Sequence, residues 1–104
     1  MEKDSIRINL IEKTGINRTN EAHAGLTIPK GTEFKDLLEV MGLDNFGLSA
    51  AHWDIQANRY VAGKFFGAES GEVHPGSYWL DRDDRKEYLS DLVNRVTRHY
   101  NEKE

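Results

Sequence analysis

Residues 32–43 read TEFKDLLEVMGL, and this stretch separates the predicted strands before it from those after it. Its apolar residues recur at spacings of i, i+3, i+4 and i+7, which places them on one face of an amphipathic helix: Phe34, Leu37, Leu38 and Met41. Thr32 suits the N-cap, because its hydroxyl can accept a hydrogen bond from an early backbone N–H. Gly42 suits the left-handed conformation that ends many helices. The stretch therefore predicts a single helix.

Two strands are predicted before this helix. In residues 6–11, Ile6, Ile8 and Leu10 alternate with polar residues, which is the period of two expected of a half-buried strand. A second strand is predicted over residues 24–28, and Pro29 ends it because proline cannot donate to a sheet. The polar residues 15–20 between the two predict a loop.

Three strands are predicted after the helix, over residues 51–56, 59–66 and 77–80. The first two are close enough to form a hairpin through residues 56–58. In this interpretation Trp53 points into the core. Residues 67–72 contain glycine and glutamate and predict a loop before the last strand.

A long helix is predicted at the C-terminus. Asp84 and Glu87 have the spacing of a capping box at its start. Its apolar residues share one stripe: Tyr88, Leu89, Leu92, Val93, Val96 and Tyr100. Residues 101–104 are expected to fray.

The predicted element order is β-β-α-β-β-β-α in one domain over residues 1–104. This order indicates an α+β fold with a small mixed or antiparallel sheet and the C-terminal helix packed on it. In element order the chain resembles the β-grasp, or ubiquitin-like, arrangement. Carrier members of that fold end in a flexible Gly-Gly tail, whereas this chain ends Tyr100-Asn101-Glu102-Lys103-Glu104. The resemblance therefore implies a fold and not a conjugation or sulfur-carrier role.

The composition excludes several classes of site. The chain has no cysteine, which excludes disulfides and thiolate zinc sites and favours a cytoplasmic location. The first seven residues carry charges of both signs and lack the apolar segment of a signal peptide. No apolar run approaches the ~20 residues that a membrane helix needs. We expect no membrane association and no cofactor.

The net charge of −4 arises in the middle of the chain, where residues 31–80 hold three basic and seven acidic side chains. Such a segment repels phosphate backbones, so nucleic-acid binding is disfavoured. The acidic residues predicted to meet a basic partner protein are Glu33, Asp36, Glu39, Glu69 and Glu72.

Six of the ten aromatic residues lie between Trp53 and Trp79. In each of the pairs Phe65-Phe66 and Tyr78-Trp79, neighbouring side chains point to opposite faces of a strand. If Phe66 and Tyr78 are the outward members, they either contact a partner or form a second core layer under the C-terminal helix. The apolar stripe of that helix needs a surface to cover, which favours the second arrangement.

The triplet His52-Trp53-Asp54 supplies the candidate for catalysis. On a strand, His52 and Asp54 share a face, and a carboxylate beside a histidine is part of a general-base device. No nucleophile with a recognisable motif accompanies them, although Tyr60 or His74 could complete a site. The four histidines lie 22 to 29 residues apart, so their spacing predicts no metal chelate.

The leading hypothesis is a small, non-enzymatic accessory or regulatory protein that binds another protein. Its sharper version is an acidic inhibitor, encoded by a phage or mobile element, that occupies a basic surface of its target. One alternative is an enzyme or small-ligand binder using His52 and Asp54. Another is a nucleic-acid-binding module that uses a basic edge of the C-terminal helix: Arg95, Arg98, His99 and Lys103.

Overall fold

A computed structural model describes residues 4–14, 16–82 and 87–102. The predicted order of elements is confirmed. The strands are β1 (Ser5–Thr14), β2 (Asn20–Pro29), β3 (Leu48–Asp54), β4 (Arg59–Phe66) and β5 (Gly76–Leu80). The helices are α1 (Phe34–Met41) and α2 (Leu89–Glu102), and a short 3-10 turn (Ile16–Arg18) separates β1 from β2.

The five strands form one mixed sheet in the order β2-β1-β5-β3-β4. Strands β1 and β5 are parallel at its centre, and the other neighbouring pairs are antiparallel. The prediction of an α+β fold with a small mixed sheet is therefore confirmed. The first two strands are ten residues each, longer than the alternation of apolar residues predicted.

Helix α1 begins differently from the predicted capping pattern but ends as that pattern predicts. Glu33 occupies the N-cap position without a side-chain capping bond, and the Thr32 hydroxyl instead donates to the Pro29 carbonyl at 2.7 Å. The prediction of Thr32 as N-cap is thus corrected. At the other end Gly42 has φ 73°, and the Leu43 N–H donates to the Leu38 carbonyl at 2.9 Å, as predicted for a Schellman ending.

The main core lies between one face of the sheet and the two helices. Residues of alternate strand positions and of the helix stripes are buried there together, as period-two and period-3.6 patterns require: Ile8, Leu10, Leu26, Ile28, Phe34, Leu37, Leu48, Leu92 and Val96. Helix α2 packs mainly against β2, which confirms the prediction that the C-terminal helix covers the sheet.

The structure corrects the placement of two aromatic residues. Phe66 and Tyr78 point into this core, and α1, rather than α2, covers them through Phe34. The Phe34 and Phe66 rings stack with centroids 4.5 Å apart, and the Tyr78 ring lies edge-on at 5.7 Å from Phe34. The Tyr78 hydroxyl donates to the His74 carbonyl, which satisfies its polar atom inside the core.

Helix α2 begins at Leu89, later than the capping-box pattern predicted. Asp84 lies outside the described residues, and the predicted capping box between Asp84 and Glu87 therefore lies partly outside them. The Glu87 carboxylate instead accepts a hydrogen bond at 2.8 Å from Arg95, which lies in α2 more than one turn after its first residue. None of the helices within the described ranges is long and apolar enough to cross a membrane.

An ion network links the sheet to both helices. The nearly buried Glu12 carboxylate of β1 accepts two hydrogen bonds from Arg82, which follows β5. Arg82 also donates to the Glu87 carbonyl at 3.0 Å. Arg95 of α2 joins Glu87 to α1, because it donates to the carbonyls of Val40 and Met41.

Candidate interaction surface on the open face of the sheet

The face of the sheet turned away from the helices is here called the open face. It carries the side chains of each strand that alternate with those buried in the main core. One row of side chains crosses all five strands on this face. From β2 to β4, the register joins His23, Ile11, Trp79, Ser49 and Phe65. The row places Phe65 and Trp79, the sequence neighbours of the core residues Phe66 and Tyr78, on the open face.

The far end of the β3–β4 hairpin bends over this face. Strands β2 and β4 are opposite edges of the sheet, and four strand spacings in a flat sheet would separate them by about 19 Å. The rings of His23 in β2 and Tyr60 in β4 nevertheless have centroids 5.4 Å apart. A register shift between Ser49 and Ala51 marks a bulge in the hairpin, and bulges increase strand bending. The bent hairpin therefore converts part of a sheet face into a concave surface.

A small second core lies beneath the bent hairpin. Ile11, Ala51 and Trp79 are buried there, and Tyr60 packs against them. Trp53 lies edge-on to Tyr60 with ring centroids 5.2 Å apart, as a cross-strand pair. The prediction that Trp53 fills the core is wrong, because 51% of this side chain remains exposed.

Exposed aromatic side chains flank this second core. Phe65 is 57% exposed at the edge strand β4, and Trp53 is exposed to a similar extent at the end of β3. We call Trp53, Tyr60, Phe65 and Trp79 the open-face aromatic surface. Trp79 is buried and Tyr60 half-buried in this set, whereas Trp53 and Phe65 are exposed. Exposed apolar side chains around such a cluster are typical of surfaces that bind another molecule.

A groove of about 400 Å³ lies within this surface, called here the open-face groove. Its aromatic lining comes from Tyr60, Phe65 and Trp79, and its charged lining from Lys13, Arg59 and Asp81. The Lys13 ammonium lies 5.1 Å from the centroid of the Trp79 ring, in a cation–π arrangement. The Trp79 Nε1 atom is buried, with no hydrogen-bond acceptor in the described part of the chain.

The acidic residues singled out in the sequence lie elsewhere. All five are exposed, either on α1 or on the loop that precedes β5: Glu33, Asp36, Glu39, Glu69 and Glu72. Glu33 and Glu72 form an isolated antiparallel bridge, in which the backbone N–H of Phe34 donates to Gly71 at 2.8 Å. The loop is thereby held against the start of α1. The acidic surface thus forms on the helix side of the sheet, away from the open-face aromatic surface.

Of the two candidate catalytic residues, Asp54 has a local structural role, whereas His52 is exposed on β3. The Asp54 carboxylate accepts hydrogen bonds from the backbone N–H groups of Gln56 at 3.0 Å and Ala57 at 3.2 Å. This arrangement fixes the turn that joins β3 to β4. His52 lies over Gly63, where an added Cβ would come within 2.9 Å of the imidazole. Among residues 4–14, 16–82 and 87–102, no group of three His, Asp or Glu side chains is arranged to hold a metal ion.

The predicted basic edge of the C-terminal helix is only partly available. Arg95 contacts the carbonyls of Val40 and Met41 and the Glu87 carboxylate. Its guanidinium therefore neutralises the carbonyl end of α1. Arg98 is exposed and His99 half-buried, with the His99 ring edge-on to Tyr100. Lys103 lies outside the described residues.

Comparisons with protein-family models, curated proteins and solved structures find no match for this chain. The site is therefore interpreted from its own geometry. Sequence reasoning did not predict Trp53, Phe65 and Trp79 as members of this surface. It also did not predict the charged lining of the groove: Lys13, Arg59 and Asp81. The signal for Phe65 was present, since one of Phe65 and Phe66 had to point outward, but only strand register decides which one.

Proposed function

We propose that this protein is a non-enzymatic accessory or regulatory protein, which binds another protein through its open-face aromatic surface. The observation that carries the proposal is the exposure of two large aromatic side chains on the open face, Trp53, which packs on Tyr60, and Phe65, which lines a groove. Each leaves more than half of its surface in water, where apolar area is unfavourable. Burial against a partner would recover that free energy.

The composition of the surface fits a protein partner. Interface centres are enriched in tryptophan, tyrosine and phenylalanine, and such residues supply much of the binding energy when a partner buries them. The Tyr60 ring already holds Trp53 in an edge-on contact. Less side-chain freedom is therefore lost on binding than for an isolated exposed ring.

Photo-crosslinking in the native host tests this proposal directly. We would place p-benzoylphenylalanine at position 65 on the open face, and at position 39 on the acidic side of α1 as the matched control. The proposal expects a discrete protein adduct from position 65, which is lost when Trp53→Ser is added. Adducts from position 39 alone, or none from position 65, would contradict it.

The acidic surface supports a second candidate, the acidic inhibitor of a basic target. The observation that favours it is the Glu33–Glu72 bridge, which brings the acidic loop and α1 into one surface. Electrostatic attraction would then set the association rate with a basic partner and make it sensitive to salt. Replacing Glu33, Asp36, Glu39, Glu69 and Glu72 with glutamine should abolish the salt dependence of binding to the captured partner. Unchanged binding would eliminate this candidate.

The enzyme and nucleic-acid hypotheses stay predictions with less support. The turn contacts of Asp54 account for that carboxylate without a catalytic role. An NMR titration of His52 that departs from the ordinary histidine pKa of ~6.5 would revive the enzyme hypothesis. The cytoplasmic location and a phage or mobile-element origin stay proposals that rest on composition alone.

A further inference from the structure

The open-face groove combines cations with aromatic rings in a chain that is acidic as a whole. Lys13 and Arg59 both line it, while Asp81 is the single carboxylate in its described lining. The five residues of the acidic surface lie on the other side of the sheet. The groove therefore places two cations and one carboxylate next to apolar surface.

The surroundings keep the two cations close to the groove. Lys13 lies over the Trp79 ring and 4.0 Å from the Glu21 carboxylate of β2. Arg59 pairs in register with Asp54, whose Oδ1 atom is engaged by two backbone N–H groups of the turn. Lys13 belongs to β1 and Arg59 to β4, so the sheet, and not a loop, fixes the backbone of both residues.

We propose that the open-face groove binds an acidic segment of the partner protein that also carries an apolar side chain. This inference rests on the proposed function and names the chemistry of the partner. Carboxylates of the segment would lie near Lys13 and Arg59, and its apolar side chain would pack between Phe65 and Tyr60. Charge complementarity is the argument for the occupant.

The same geometry disfavours a nucleic acid as the occupant. Single-stranded nucleic acids are bound along a run of cations that follows the phosphate backbone, with several bases stacked on aromatic rings. Here two cations and one carboxylate line a groove of about 400 Å³, which is enough for a few side chains and not for a strand. A short acidic segment matches both the size and the charge.

Intrinsic fluorescence measures binding in the unmodified protein, because both tryptophans of the chain, Trp53 and Trp79, belong to the open-face aromatic surface. The probes are the peptides acetyl-DEFDE-amide and acetyl-KRFKR-amide, which carry opposite charges around one phenylalanine, and an oligothymidylate. We expect a saturable fluorescence change with the acidic peptide only, and a weakening of at least about fivefold when salt is raised into the screening range.

Matched variants locate the effect. Lys13→Gln and Arg59→Gln should each weaken acidic-peptide binding by about fivefold or more. Lys64→Gln removes a cation from the same strand as Arg59, but Lys64 lies over the core residue Phe66, 5.7 Å from its ring centroid. That variant should bind the acidic peptide as the wild type does.

The outcomes separate this inference from the proposed function. Equal binding of both peptides, preference for the basic peptide or tighter binding of oligothymidylate would overturn the acidic-segment proposal. So would an absence of peptide binding while position 65 still crosslinks to a protein, and in that case the proposed function stands. If neither a position-65 adduct nor binding of the acidic peptide is observed, the proposed function is overturned as well.

Discussion

Phe34 is the residue of α1 that packs against the aromatic side chains of the sheet. It is fully buried and contacts two further aromatic rings, Phe66 of β4 and Tyr78 of β5. Offset and edge-on aromatic contacts of this kind add to the free energy of burial. The side chain therefore stabilises both the helix and the two strands under it.

Replacing Phe34 with alanine should lower the free energy of unfolding by about 3–5 kcal/mol, since it removes buried contacts and leaves a cavity. Chemical denaturation followed by circular dichroism measures this loss. Phe65→Ala is the matched control, because Phe65 is exposed on the opposite face, and we expect it to cost less than about 1 kcal/mol. Similar losses for the two variants would show that the assignment of faces is incorrect.

The Glu12–Arg82 pair makes a second prediction at the scale of single residues. The two side chains are 4% and 10% exposed, so removing one partner leaves a charge that water barely reaches. We expect Arg82→Leu to destabilise the protein by about 3 kcal/mol. The double variant Glu12→Leu with Arg82→Leu should recover most of this loss, because an apolar pair avoids the desolvation of charge.

Thermal and urea denaturation of the two single variants and the double variant would test this as a double-mutant cycle. Additive losses would contradict it, since they would mean that the two side chains contribute independently to stability.

At the scale of elements, the contact between α1 and α2 depends on Arg95. Its guanidinium bridges the carbonyls that end α1 and the Glu87 carboxylate that precedes α2. The hydrogen bond from Arg95 holds the pKa of Glu87 below its ordinary value of 4.5, with the charges of Arg95 and Arg82 adding to it against a smaller effect of burial. The network thus couples helix packing to pH.

The sign of this coupling follows from the lowered pKa. Glu87 contributes stability above its ordinary pKa in the unfolded chain, and the contribution is lost as pH falls through the lower pKa of the folded state. Urea unfolding of the wild type should therefore lose more stability between about pH 5 and about pH 3 than unfolding of Glu87→Gln does. In an Arg95→Met background the difference should disappear. A persistent difference would assign the effect to another group.

Elements themselves were predictable where their patterns are local. The apolar stripe of α1, its end at Gly42 and the alternation in β1 are properties of neighbouring residues, and the structure agrees with them. The start of α2 was not, because Arg82, which follows β5, is held by Glu12 of β1 at a sequence separation of 70 residues, as well as by the nearby Glu87 carbonyl. Long-range ion pairs of this kind leave no local pattern.

At the scale of the whole molecule, stability should be distributed from the centre of the sheet outward. Strands β1 and β5 are paired on both sides, whereas β4 is an edge and its end with β3 projects over the open face. Hydrogen exchange depends on how readily each region opens. The number of unpaired backbone groups therefore favours early opening of the hairpin.

Native-state hydrogen exchange followed by mass spectrometry or NMR checks this gradient. We expect the slowest amide exchange in residues 8–11 and 77–79, and exchange at least about tenfold faster in residues 53–61. Addition of the acidic peptide should slow exchange in the residues that line the open-face groove, including those of β4 in the hairpin. Uniform protection of all five strands would contradict the expected order.

The sequence by itself determined the element order, the α+β class, the absence of cysteine chemistry and the location of the acidic excess between residues 31 and 80. Each of these is a property of composition or of short-range periodicity. Only the tertiary structure decided which aromatic residue of each adjacent pair faces outward, since that depends on strand register and on a bulge. It also separated the acidic residues from the exposed aromatic residues, because α1 and the loop before β5 lie on the helix side of the sheet, whereas the bent hairpin brings Tyr60 next to His23 across the open face.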